Sequence, residues 1–100
     1  MQKVKHKYGH WFPSIVGASA VTLGYTIFYH MEKEFVPRWL YLHEMEHIAQ
    51  INRLGIPLFY TRYLIEYLIG RFKGLGHWDA YHKISFEIQA KAAEKNNMLL

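Results

Sequence analysis

Leu40 to Gly55 reads LYLHEMEHIAQINRLG, and His43, Glu44 and His47 within it form an H-E-x-x-H motif. Histidines four apart on a helix differ by about 40° in direction and about 6 Å in height, so both imidazoles can reach one ion from the same side. Zinc takes nitrogen ligands at about 2.0–2.1 Å, and a catalytic site uses three protein ligands with one position open to water. Glu44 projects beside such an ion, where it can take a proton from water as general base. With seven histidines and seven glutamates in 100 residues, the pattern arises by accident in roughly 3 chains in 100 of this composition. The alternative is that His43 and His47 are hydrogen-bonded core or surface residues, with Glu44 and Glu46 facing solvent.

A third ligand must come from elsewhere. His77, Asp79, His82 and Glu87 are the downstream candidates. His77 and Asp79 fall at an expected loop–helix junction, where polar surface is the ordinary role. His82 is about 140° around a helix from Glu87, so the two do not readily face one ion. Glu87 stands among Ile84, Phe86, Ile88 and Ala90, a costly setting for a carboxylate without a partner. A metal ion would satisfy it, and so would a salt bridge to Lys83 or Lys91 at helical spacing. Glu87 is the favoured ligand.

The elements that position these residues follow from the pattern. Residues 1–13 read as an ordered or semi-ordered arm ending at Pro13. Ser14 to Met31 is rich in β-branched and aromatic residues and reads as two short strands, with Gly24 as turn or bulge and Tyr25 to Met31 as the second. That second strand is either an exposed edge to which an extended peptide can add or a plain structural strand. His30 at its end reads as surface. From Pro37, placed in a first helical turn, Leu40, His43, Glu44, His47, Ile48 and Ile51 recur at helical spacing until Gly55 and Pro57 stop the helix. PLFYTRYLIEYLIGRF, from Pro57, reads as a second helix and KGLGHW as a loop. A third helix starts with Asp79 as N-cap, places Ala80, Ile84, Glu87, Ile88 and Lys91 on one stripe, and ends at Asn96–Asn97.

Composition bounds the rest. A chain of 100 residues, 51% apolar and 17% aromatic, forms one domain over residues 1–100 with ample core. It has no cysteine, which excludes disulfides and thiolate zinc sites and fits a reducing compartment. The net charge of +4 comes without the arginine–aromatic pattern of a nucleic-acid binder, and a nucleic-acid partner is not expected. No apolar run reaches the roughly 18 residues of a membrane span. The lysines before WFPSIVGASAV are interrupted as a signal peptide by Pro13 and Gly17. A cytoplasmic or phage-associated setting is expected.

In that order, TLGYTIFYH, LHEMEHIAQ and ISFEIQA resemble the small gluzincin-type zinc peptidases, the minimal single-domain members of bacteria and phages. The resemblance covers roughly Val21 to Ala93. It implies a small zincin-like α+β domain, short N-terminal strands followed by the H-E-x-x-H helix and two further helices. It also implies one zinc ion on His43, His47 and Glu87, with Glu44 as base. Gln50 matches a position often held by glutamine, with no chemical role evident from sequence. The interval from Ile48 to Phe86 is longer than in the tightest gluzincins.

The oxyanion formed on hydrolysis needs a donor. Tyr60, Tyr63, His77, Tyr81 and His82 are available, and Tyr81 and His82 lie nearest Glu87 in the chain. The expected function is zinc-dependent hydrolysis of peptide bonds in a peptide or protein substrate. The competing readings are a catalytically silent metal-binding module of a larger assembly and a basic nucleic-acid binder, whose affinity would fall steeply with salt.

Overall fold

The computed structural model describes residues 3–96. Among these, three strands and five helices build a small α+β domain: β1 (Lys5–Lys7), α1 (Phe12–Ile15), β2 (Ala20–Leu23), β3 (Thr26–Tyr29), α2 (Arg38–Leu54), α3 (Ile56–Phe72), α4 (His77–His82) and α5 (Ser85–Asn96). A short 3-10 turn, Lys33–Phe35, leads into α2.

The expected two strands are β2 and β3, joined across Gly24, whose φ of 57° suits a residue without Cβ. Both are shorter than the sequence pattern suggested. Ser14 lies in the helical turn α1, and Ala18 follows Gly17 at φ 72°. The arm is not a mere arm: its Lys5–Lys7 pairs in parallel with Thr26–Phe28 as β1. The sheet order is therefore β1-β3-β2. β3 is the central strand, so the reading of Tyr25–Met31 as an exposed edge is wrong. β1 takes the place of an incoming peptide there. Lys5 and Lys7 point to solvent and His6 inward, a charged edge that discourages further pairing.

Ile27 and Tyr29 alternate into the core and are fully buried. They meet Ala20, Leu40 and Ile48, so one side of α2 covers the sheet. The next side of α2 presents Ile51 to a second cluster, Phe59, Ile84 and Phe86. α2 packs most extensively against α5. Glu44, His47 and Gln50 are buried in the same helix. The helix ends as expected at Gly55 (φ 86°), though Pro37 is its N-cap rather than a first-turn residue. Gly55 is also the N-cap of α3, which begins at Ile56, one residue before Pro57.

The expected third helix is two helices, and KGLGHW is only partly a loop. Gly76 caps α4, so His77 and Trp78 are helical and Asp79 lies in the first turn instead of capping it. Glu66 of α3 explains the break. Its carboxylate accepts from Ser85 N at 2.7 Å and Ser85 Oγ at 2.9 Å, capping α5 from another helix. The new start changes the stripe: Glu87 and Ala90 are buried with Phe86 and Glu94, while Ile88 and Lys91 are exposed. α5 runs to Asn96, and Asn97 lies outside the described residues. α3 and α4 cross closely because Gly70 has no side chain; a Cβ there would sit 3.0 Å from that of Ala80. Among the described residues no helix is long and apolar enough to cross a membrane.

Candidate metal centre

Helix α2 carries His43, Glu44 and His47, and one ligand-type atom from each lies within 4.8 Å of the others. α5 brings Glu87 to them. Its Oε1 accepts from His43 Nε2 at 2.9 Å, and its Oε2 lies 3.1 Å from His47 Nε2. The alternative for Glu87, a salt bridge to Lys83 or Lys91, is not made among the described residues: Lys91 instead pairs with Glu94 at 3.5 Å. α3 and α4 fill the long interval between the motif and Glu87, and α5 then returns along α2.

The far side of each imidazole is held as well. His43 Nδ1 donates to Glu94 Oε2 at 2.6 Å, and His47 Nδ1 donates to Gln50 Oε1 at 2.9 Å. Gln50 is fixed in turn by its amide, which donates to Phe86 O at 3.0 Å and Gln89 Oε1 at 3.1 Å. That gives Gln50 the role the sequence did not reveal. Holding Nδ1 by an acceptor orients the ring and directs Nε2 to the shared point, as in ligating histidines.

The electrostatics are those of a buried cationic pair around a carboxylate. Burial alone would lower the His43 pKa, but hydrogen bonds to Glu87 and Glu94 outweigh it and raise it to about 9. His47 is raised in the same way, chiefly through Glu87 against the effect of burial. Burial would raise the Glu87 pKa, yet its bonds from His43 and His47 hold it well below the usual carboxylate range. Glu44 moves oppositely: burial pushes it up, partly offset by His47 and Thr22. Thr22 Oγ1 of β2 donates to Glu44 Oε1 at 2.8 Å.

The donor set fits a small divalent ion. Ligands at about 2.0–2.2 Å from a tetrahedral ion stand about 3.3 Å apart, close to the 2.9 and 3.1 Å between Glu87 and the two Nε2 atoms. Imidazole with carboxylate suits zinc and neighbouring transition metals.

Beside the group is a cleft of about 290 Å³. Glu44, His47 and Glu87 share its lining with Val21, Phe59 and Trp78. Tyr63 donates to Glu87 Oε2 at 2.6 Å. Tyr81 also lines the cleft, and burial with the nearby Glu87 charge drives its pKa up. His82 and Asp79 are exposed, apart from the candidate ligands; His82 packs on Trp78 and Tyr81. The expectation of His82 as an oxyanion donor is thus not met, because the end of α4 turns it outward. His77 is exposed at the rim, 2.9 Å from the Tyr67 hydroxyl. Tyr60 donates to Thr22 O at 3.0 Å, tying α3 to the outer edge of β2.

Sequence reasoning missed Glu94, Thr22 and the bond made by Tyr63. Glu94 had a signal, since it follows Glu87 by two helical turns. Thr22 had none, because a strand–helix contact leaves no local pattern. No family model, curated protein or solved structure matches the chain.

Proposed function

We propose that the chain is a gluzincin-type zinc peptidase, with His43, His47 and Glu87 as metal ligands and Glu44 as general base. One observation carries the reading: two Nε2 atoms converge on one buried carboxylate, each ring held from behind, with Glu44 alongside at the cleft. A bound zinc would supply Lewis acidity, polarising a carbonyl and making water acidic near neutrality.

The chain's own residues supply the rest. Burial raises the Glu44 pKa towards the range in which a carboxylate both accepts and returns a proton. The Thr22 hydroxyl holds one of its oxygens and so fixes the plane of the carboxylate. Tyr81 keeps its proton in this setting and is the donor for the developing oxyanion. Val16, Val21, Leu23, Phe59 and Trp78 exclude water and accept an apolar side chain of the substrate. β2 is an edge strand that lines the cleft, so an extended peptide adds there rather than at β3. Pairing at the Thr22 carbonyl must displace Tyr60.

The test is Glu44→Gln in protein purified without a histidine tag and loaded with zinc. Metal stoichiometry and the thermal melt should match the parent, while cleavage of a peptide library falls by at least about 10²-fold, as expected for loss of a general base. Equal cleavage by the variant overturns the mechanism. A parent that holds one zinc and cleaves nothing is instead a silent metal-binding module.

A further inference from the structure

α3 has two unlike faces. Phe59, Tyr63 and Gly70 turn inward, while Leu58, Ile65, Leu68 and Ile69 are about half-exposed and Phe72 is 89% exposed. At 100° per residue these five outward residues fall within about 100° of arc; the exposed Thr61 separates Leu58 from the rest, so the unbroken apolar stripe runs from Ile65 to Phe72. Scattered exposed leucines are ordinary, but a continuous stripe ending in an almost bare phenylalanine marks a surface that something covers.

The surrounding charge indicates what covers it. Lys73 follows Phe72 in the chain, and Lys73 and Lys83 line the groove beside Ile69, while Arg71 turns to the other side of α3 and donates to the Tyr67 hydroxyl at 3.1 Å. Glu66 is the one acid of α3, and its carboxylate is occupied by Ser85 and Arg62. Arg62 in turn lies over the Phe86 ring, 5.4 Å from its centroid. The nearest other acid along the chain, Asp79, is exposed on α4. The C-terminal end of the stripe is thus basic around an apolar tip.

We propose that this face of α3 lies on an anionic bilayer surface. Phe72 and the aliphatic stripe enter the boundary between headgroups and acyl chains, and Lys73 and Lys83 meet lipid phosphates. The helix lies on the membrane and does not span it: 17 residues reach about 26 Å, short of a core of about 30 Å. A second copy fits less well. Two stripes packed antiparallel bring Lys73 towards the N-terminal turn of the other copy's α3, which holds no acid to pair with it. The cleft opens against the opposite face of α3, through Phe59, Tyr60 and Tyr63, so a bilayer there leaves it uncovered. The inference is independent of the peptidase reading.

The test is flotation of the full chain with vesicles of phosphatidylcholine alone or of equal parts phosphatidylcholine and phosphatidylglycerol. Binding should be confined to the anionic vesicles and weaken with salt. Phe72→Ser should lower it roughly ten-fold or more, and Lys73→Ala about five-fold. Lys5→Ala, on the strand two places from the edge α3 meets, should leave it unchanged. Circular dichroism confirms that the exposed substitutions keep the fold. Equal binding to both vesicles, or an equal loss with Lys5→Ala, overturns the proposal. So does binding to neither. In that case a dimer in sedimentation that Phe72→Ser dissolves assigns the face to a second copy, and a monomer excludes that occupant too.

Discussion

The side-chain carbonyl of Gln50 accepts the Nδ1 proton of His47 at 2.9 Å. Gln50 is fully buried, and its amide reaches across to Phe86 O and Gln89 on α5. One side chain therefore orients a candidate ligand of α2 and ties it to the helix that supplies Glu87. A loose ligand must be ordered when an ion binds, and that ordering costs affinity. Gln50 removes much of this cost in advance.

Gln50→Ala is accordingly expected to weaken zinc affinity about 10- to 100-fold, measured by competition with a chromophoric chelator. The same change leaves His47 Nδ1 and Phe86 O without their partner, at a cost of about 1–3 kcal/mol in the denaturant melt of the metal-free protein. Glu94→Gln keeps an acceptor for His43 and should lose less affinity than Glu94→Ala. Equal affinities for both Glu94 variants and the parent would remove that carboxylate from the site.

The metal-free protein should be most stable between roughly pH 4.5 and 6.5. The folded pKa of His43 lies above its ordinary 6.5, at about 9. Its contribution is therefore complete below 6.5 and lost as pH rises towards 9, a loss on the order of 2–3 kcal/mol. Ionisation of the buried Glu44 also costs stability as pH rises, but from its ordinary 4.5 upward, so it tilts the optimum towards the acid end of that window. Glu87, held below its ordinary 4.5, contributes above that value and is lost as pH falls through its folded pKa. With zinc present the alkaline limb should reverse, because the two imidazoles must release protons to bind it. Melting temperatures across this range, with chelator and with zinc, check both limbs. A metal-free melting temperature that climbs from pH 6.5 to 9 contradicts the ion-pair picture.

The legible part of the molecule is the part written in local periodicity. The α2 span, its stop at Gly55 and the shared face of His43 and His47 follow from spacing that nothing distant overrides. Glu87 was singled out for a physical reason, a carboxylate among apolar neighbours, and it does lie against both imidazoles. What stayed hidden depends on partners far along the chain. β1 forms from a lysine-flanked histidine that no strand pattern announces, and its pairing turns β3 from edge to centre. The end of the expected third helix's first part is set by Glu66, nineteen residues before Ser85. That break turns Ile88 and Lys91 outward and brings Glu94 into line with Glu87.

Glu87→Ala should abolish stable zinc retention, because it removes the acidic member of the proposed ligand set and leaves two imidazoles. It should also destabilise the metal-free protein in a pH-dependent way. At pH 6 the buried imidazolium groups lose their counter-charge, a cost of about 3–5 kcal/mol for a broken buried pair. Near pH 9 the histidines can be neutral and the deficit should shrink. Chelator-treated melts at the two pH values measure it. A deficit that grows with pH would place the stabilising charge elsewhere.

The two tyrosines at Glu87 should separate by function. The Tyr63 hydroxyl is committed to Glu87 Oε2 at 2.6 Å, so Tyr63→Phe frees that oxygen and should change zinc affinity several-fold. Tyr81 lines the cleft with its proton held by burial and the neighbouring negative charge. Tyr81→Phe should lower kcat about 10²-fold, the usual loss for one oxyanion donor, with KM and zinc affinity little changed. His82→Ala should alter neither, since that ring faces solvent. Kinetics of the three variants beside their metal titrations decide the assignment. A kcat loss confined to Tyr63→Phe would move the donor role from α4 to α3.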